Sequence, residues 1–190
     1  MNLEQLNINL FYIFNASDHP SALIKQLALF SSNYLIAIIG VVLLALAFLK
    51  KEQRYWHAVS LSLCSIAVAL ITAKIFSLFY YHPRPFVLHI GHTLIHHAKT
   101  TSLPSHHMLG IAALAFSFLV LGFRKIFFVL FISSLLIGWS RMYLGVHFPF
   151  DLISAEIWAL ISVYLMKNIS TYPCDKLMAR FSRNTTKSPL

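Results

Sequence analysis

His147 and Asp151 stand four positions apart in SRMYLGVHFPFD, residues 140–151. On a helix that spacing places both on one face. A carboxylate bonded to one imidazole nitrogen fixes the tautomer and leaves the other nitrogen as a nucleophile or base. Arg141 lies one short loop away. Two further stretches carry matching groups. In KIFSLFYYHPRPF, residues 74–86, Arg84 sits between Pro83 and Pro85, so its backbone is held extended. Its planar fork suits paired hydrogen bonds to a phosphate. Lys74 lies deeper in an apolar run, where a charge needs a partner or a polar cavity. In LPSHH, residues 103–107, Pro104 and Ser105 precede a helix start whose free N–H groups attract anions. His107 is placed to exchange a proton at the same point.

Each of these residues also has a structural reading. Ser105 makes a good helix cap, Arg84 an interfacial anchor, Lys74 a snorkelling cation, and His147 with Asp151 a surface pair. Asp151 weighs most against the structural readings, because an acid at the start of an apolar span is expensive without a task. Glu156 lies a little over one helical turn deeper. It is expected to bond a neighbouring helix or feed the same polar cavity.

The elements that must position these groups are membrane spans. The chain has 190 residues, a mean hydropathy of +0.71 and only 11% charged residues, against about 25% in soluble domains. The start, MNLEQLN, has an acid and no basic region, so the spans themselves are expected to direct insertion. Apolar runs predict spans at about 33–49, 56–80, 106–123, 126–143 and 148–167, each near the roughly 20 residues that cross a bilayer. Residues 3–15 and 20–31 read as interfacial helices, the second running into the first span as one bent helix. The expected fold is an all-α integral membrane protein. It is a bundle of five transmembrane helices, or six if the N-terminal segment crosses, with N-terminal interfacial helices. Residues 1–170 form a single membrane domain, and 171–190 a basic cytoplasmic tail.

The net charge of +9 does not point to nucleic acid. Ten of the 15 Lys and Arg residues fall in three clusters beyond apolar runs: 50–54, 124–125 and 167–187. This is the pattern of cytoplasmic loops. The opposite face then gathers His82, His89, His92, His96, His97, His106, His107 and His147, with Arg84 and Arg141. Cys64 and Cys174 lie too far apart in this topology to suggest a disulfide framework.

Together the three stretches resemble the signature of the type 2 phosphatidic acid phosphatase superfamily. That signature is a lysine-led segment ending in Arg-Pro, then Pro-Ser-x-His, then Ser-Arg-x5-His-x3-Asp. Here it reads Lys74 to Arg84-Pro85, Pro104-Ser105-His106-His107, and Ser140-Arg141 to His147 and Asp151. Short size and HPRPF look most like the bacitracin-resistance type of undecaprenyl diphosphatase. The resemblance implies His147 as nucleophile through a phosphohistidine, Asp151 orienting it, and His107 as general acid. It implies Arg84, Arg141, Ser105, Lys74 and His106 around the phosphoryl oxygens, with no metal and no cofactor. It also implies a polyprenyl diphosphate lipid as substrate and a bacterial inner membrane location, with the site facing the periplasm or outer side. There are two departures. Nine residues separate Lys74 from Arg84, three more than in the commonest form, which would place the lysine at Ser77. His106 stands where that form has glycine.

Other readings use the same residues. A phosphatase for another lipid, such as phosphatidylglycerophosphate or lipid A, would share them, as would a phosphotransferase. A metal-binding membrane protein would use His89, His92, His96 and His97. A lipid-phosphate carrier would use the arginines and would not need His147 with Asp151.

Overall fold

The computed structural model describes residues 2–169. The predicted tail from residue 171 lies outside the described residues. The described residues form seven α-helices in chain order: α1 (Leu3–Phe14), α2 (Ala22–Asn33), α3 (Leu35–Lys50), α4 (Gln53–Phe79), α5 (His106–Val120), α6 (Arg124–Tyr143) and α7 (Pro149–Ile169). A single 3-10 turn, Pro85–Val87, interrupts the long connection between α4 and α5. No strand is present among the described residues.

Three helices, α4, α6 and α7, are each long and apolar enough to cross a membrane. The α2–α3 pair passes the same test as one broken span, bent by 49°. The expected bent entry is therefore present. The third predicted span is shorter than its apolar run suggests. Helix α5 has 15 residues and stops at Val120, because Gly122 turns the chain at φ +80°.

That short helix is the centre of the bundle. It packs against α4, α6 and α7, and Leu109, Ile111, Ala112, Ala113 and Phe118 are fully buried. Small residues let the neighbouring backbones approach: Ala58, Ala69 and Ala73 on α4 and Ala155 and Ala159 on α7. Small-residue seams of this kind are how helices associate where lipid removes the hydrophobic drive. Large apolar side chains such as Val41, Leu63, Ile71, Val129, Ile132 and Tyr164 point outward instead. Serine hydroxyls inside the helices donate back to carbonyls one turn earlier, as Ser62 does to Ala58 at 2.7 Å, so few polar groups face lipid unsatisfied.

The two ends of the bundle differ. At one end Arg54 donates from Nε to the Leu121 carbonyl at 3.0 Å, and its guanidinium lies 4.5 Å from the Phe123 ring centre. The basic clusters at 50–54 and 124–125 thus share an end. At the other end lie the 80–105 connection, the α6–α7 turn and α1. Asn15 ties these together. Its Nδ2 donates to the carbonyls of His92, Met142 and Tyr143, and its Oδ1 accepts from the His92 N–H at 2.7 Å. Gly145, at φ +79°, lies so near this junction that a Cβ would stand 2.2 Å from the His92 carbonyl oxygen. Gly145→Ala is therefore expected to destabilise the protein by about 2 kcal/mol or more from backbone strain and clash. A lower thermal midpoint in detergent would show it.

Candidate active site

The functional side chains converge at the end opposite the basic clusters. Pro149 opens α7, a position where its missing N–H costs nothing. Asp151 follows in the first turn and is wholly buried. His147 lies in the turn between α6 and α7, 2% exposed, between the fully buried Val146 and Phe148. Its Nδ1 is 3.4 Å from Asp151 Oδ2. Arg84 Nη1 lies 3.0 Å from Nε2 on the other side of the ring.

Those contacts settle the tautomer. A guanidinium only donates, so Nε2 accepts from Arg84 and carries the lone pair. Ser102 donates to Asp151 Oδ2, and its oxygen, 3.2 Å from Nδ1, accepts there. Nδ1 therefore holds the proton and Nε2 bears the lone pair. Burial holds the His147 imidazole at about 3, well below its ordinary 6.5, against the opposing pull of Asp151. The ring is neutral at pH 7, as a nucleophile must be.

The two arginines differ sharply. Arg84 uses all five of its N–H groups: Nε to the Thr100 carbonyl, Nη2 to Thr100 Oγ1 and the Thr101 carbonyl, and Nη1 to the Val146 carbonyl and His147. Only the bonds to His147 Nε2 and to the Thr100 hydroxyl can pass to a substrate oxygen without breaking a backbone anchor. Burial draws Arg84 down to about 10, so it remains charged at pH 7. Arg141, in the last turn of α6 and 2% exposed, donates from Nη1 to Ser32 on α2 at 2.5 Å. Its Nε and Nη2 are buried with no hydrogen-bond partner. The charge of Arg141 is felt at His147, and that of Arg84 at Arg141. Two like charges held together in a buried site call for a shared anion.

The start of α5 supplies the third wall. Ser105 occupies its N-cap position without capping it, and its hydroxyl is buried with no partner. Its backbone N–H donates to the Asp151 carbonyl at 3.2 Å, which locks α5 to α7. His107 is half-buried, within reach of the charges of Arg141 and Arg84. His106 is exposed. Lys74 stands on the exposed side of α4, with its charge reaching His106, on the flank of the buried cluster. Glu156 accepts from Ser134 of α6 at 3.2 Å, bonding a neighbouring helix as expected.

Ser102 and His82 join the cluster without having been singled out as site residues in the sequence. His82 Nδ1 lies 3.2 Å from Asp151 Oδ1. The histidines of the long connection do not gather round a metal. His92 pairs with Asp18 at 3.3 Å, whereas His97 lies against the Ala98 carbonyl at 3.0 Å. Among the described residues, no three His, Cys, Asp or Glu side chains are placed to hold a metal ion.

The model of the PAP2 superfamily matches residues 58–173, which contain all of these site residues except Ser32. The chain belongs to the PAP2 superfamily. It is 32% identical over 165 residues to the undecaprenyl-diphosphatase BcrC of Bacillus subtilis, covering 87% of this chain and 84% of that one. It is 30% identical over 159 residues to a putative undecaprenyl-diphosphatase, YbjG, of Escherichia coli, covering 84% and 80%. Among solved structures, the crystal structure of Aquifex aeolicus LpxE matches with a TM-score of 0.68 at 25% identity, over 88% of this chain and 99% of that one. A PAP2-type phosphatidylglycerolphosphate phosphatase from Bacillus subtilis matches in fold, with a TM-score of 0.62 at 18% identity, over 88% and 86%. This PAP2 protein is thus a multi-pass, all-helical membrane protein, as its hydropathy predicts.

Two outcomes follow from the geometry. Ser102→Ala removes one donor to a buried carboxylate and is expected to lower turnover of a lipid phosphate about tenfold, measured as phosphate release in detergent. His147 takes up a proton near 6.5 when unfolded but only near 3 when folded. Between those values the unfolded chain binds more protons at this position, so stability falls as pH falls. The thermal midpoint should drop from pH 7 to pH 4.5, and His147→Asn should flatten that slope. An unchanged slope would contradict a buried neutral histidine.

Proposed function

We propose that this protein hydrolyses undecaprenyl diphosphate to undecaprenyl phosphate and phosphate through a phosphohistidine, recycling the carrier lipid of cell-wall synthesis and supporting bacitracin resistance. The observation that carries the phosphoryl-transfer reading is the buried Arg141 guanidinium, with two nitrogens unpartnered, whose charge is felt at a neutral His147 with its Nε2 lone pair turned to Arg84. The lipid and its diphosphate are proposed from the relatives named above.

In this mechanism Nε2 of His147 bonds to the terminal phosphorus, and the bond from phosphorus to the bridging oxygen breaks. His107 gives its proton to that oxygen as undecaprenyl phosphate leaves. Water then attacks the phosphohistidine, His107 takes a proton back, and phosphate departs. Asp151 holds the ring through Nδ1 and offsets the positive charge that develops on it. Arg141, Arg84, the Ser105 hydroxyl and the free N–H groups of α5 receive the phosphoryl oxygens, with His106 and Lys74 at the rim. Fixed positive groups aimed at developing charge are the main source of rate in phosphoryl transfer.

A lipid substrate fits the surroundings. An apolar cavity of about 440 Å³ lies between α5, α6 and α7, with Leu10 and Phe14 of α1 at its rim. Met108, Met142, Pro149 and Leu152 line it, each adjacent in the chain to His107, Arg141 or the His147–Asp151 turn. The positive-inside pattern supports basic ends in the cytoplasm and a site on the outer face, and the bacterial relatives support a plasma-membrane location.

The test is phosphate release from undecaprenyl diphosphate by purified protein in detergent with EDTA. Wild type should release phosphate, and His147→Ala should reduce release at least a thousandfold while the protein still inserts and purifies. Equal release by both would exclude His147 as the nucleophile. Release from phosphatidylglycerophosphate alone would replace the substrate and keep the site.

A further inference from the structure

We infer that His82 is a positioning residue for phosphoryl transfer: it holds the second oxygen of Asp151 and so keeps the first oxygen on His147. The inference rests on the active-site reading above. It begins with an imbalance at the carboxylate. Oδ2 of Asp151 accepts from the Ser102 hydroxyl and from the Phe148 N–H at 2.7 Å, with His147 Nδ1 at 3.4 Å. Oδ1 is buried and has no aligned hydrogen-bond donor. The group that faces it is His82, with Nδ1 at 3.2 Å. That nitrogen is likewise buried and has no aligned partner of its own. The two atoms stand at ion-pair distance, and a small turn of either side chain aligns them. A buried carboxylate oxygen is costly without a donor, and His82 is placed to supply one.

The backbone shows that this placement is built in. The Ser102 N–H donates to the His82 carbonyl at 2.7 Å, and the His82 N–H donates to Thr101 Oγ1 at 3.0 Å. The two halves of the long connection are thereby pinned side by side, so Ser102 reaches Oδ2 while His82 reaches Oδ1. The His82 ring lies parallel to Tyr80, 6.3 Å between centres, and edge-on to Phe148 at 5.9 Å. Pro83 then leads directly to Arg84. Around the ring the charged groups are Asp151 of α7 and Glu4 of α1. Contact with Asp151 raises the His82 imidazole above its ordinary 6.5 despite partial burial, in keeping with a nitrogen that carries a proton toward the carboxylate.

Without this second hold, only Ser102 and the Phe148 N–H restrain the carboxylate, and Oδ2 gains freedom to move off His147. Phosphate binding by Arg141 does not pass through that contact. Loss of the His82 nitrogen is therefore expected to lower kcat and spare KM. Two variants separate the nitrogen from the ring. His82→Phe keeps the packing on Tyr80 and Phe148 and removes the donor. His82→Asn places an amide nitrogen at the same number of bonds from the backbone as Nδ1. Phosphate release from undecaprenyl diphosphate in detergent would be measured for both, beside wild type and His147→Ala. His82→Phe should lose about tenfold in kcat with KM within twofold, and His82→Asn should recover most of that loss. Wild-type kcat in His82→Phe would overturn the inference, as would equal losses in the two variants or a loss confined to KM. If His147→Ala turns over like wild type, the active-site reading itself fails. If His147→Ala is silent, the His82 pair decides alone.

Discussion

A carboxylate buried at the mouth of a membrane helix cannot stand without donors, and much of this site is arranged around Asp151. Its side chain collects Ser102, the Phe148 N–H, His147 and His82. Its carbonyl accepts the N–H of Ser105. Those partners come from the α4–α5 connection, the α5 start and the α6–α7 turn. One acid therefore fixes the relative positions of three chain segments. The same contacts leave His147 with its proton on Nδ1 and its lone pair on the side of the arginines. Structure and reactivity here have a common cause.

Charge is handled asymmetrically. Arg84 spends three of its five N–H groups on backbone carbonyls and a fourth on the Thr100 hydroxyl, so it works as a brace that also touches His147. Arg141 is braced once, through Ser32, and keeps two donors in reserve. A site with two equally free guanidinium groups would repel itself in the absence of an anion. Tying one to the fold and leaving the other open reduces the number of unsatisfied donors while retaining a strong attraction for phosphate.

Much of this was legible in the residue order. The apolar runs gave the spans, because hydrocarbon thickness sets helix length. The spacing of His147 and Asp151, the prolines about Arg84 and the helix start after Pro104 marked the site, because each limits where a side chain can point. Ser102 and His82 carried no such signal. A serine and a histidine in a polar connection are ordinary, and their importance depends on the backbone bond between residues 82 and 102, which no local pattern encodes. The exposed setting of Lys74 was also hidden, since the phase of a helix packed by alanines is set by its neighbours. The end of α5 at Val120 depended on Gly122 at a left-handed turn, inside a run that is otherwise apolar.

Helix α1 has a bearing on how the protein is made. Asn7 accepts the N–H of Phe150 at 3.0 Å, and Asn15 binds the carbonyls of Met142 and Tyr143. Helix α1 and its cap are thus held by residues more than a hundred positions later in the chain. Until α6 and α7 have entered the membrane, Asn7 lacks Phe150 and Asn15 can reach only His92. Assembly therefore includes a late docking of α1 onto α6 and α7, and long-range closures of this kind are slow. The wall beside the Arg141–His147 cluster is completed only when α1, α6 and α7 are all in place, so a partly inserted chain holds its arginines and histidines without the pocket around them.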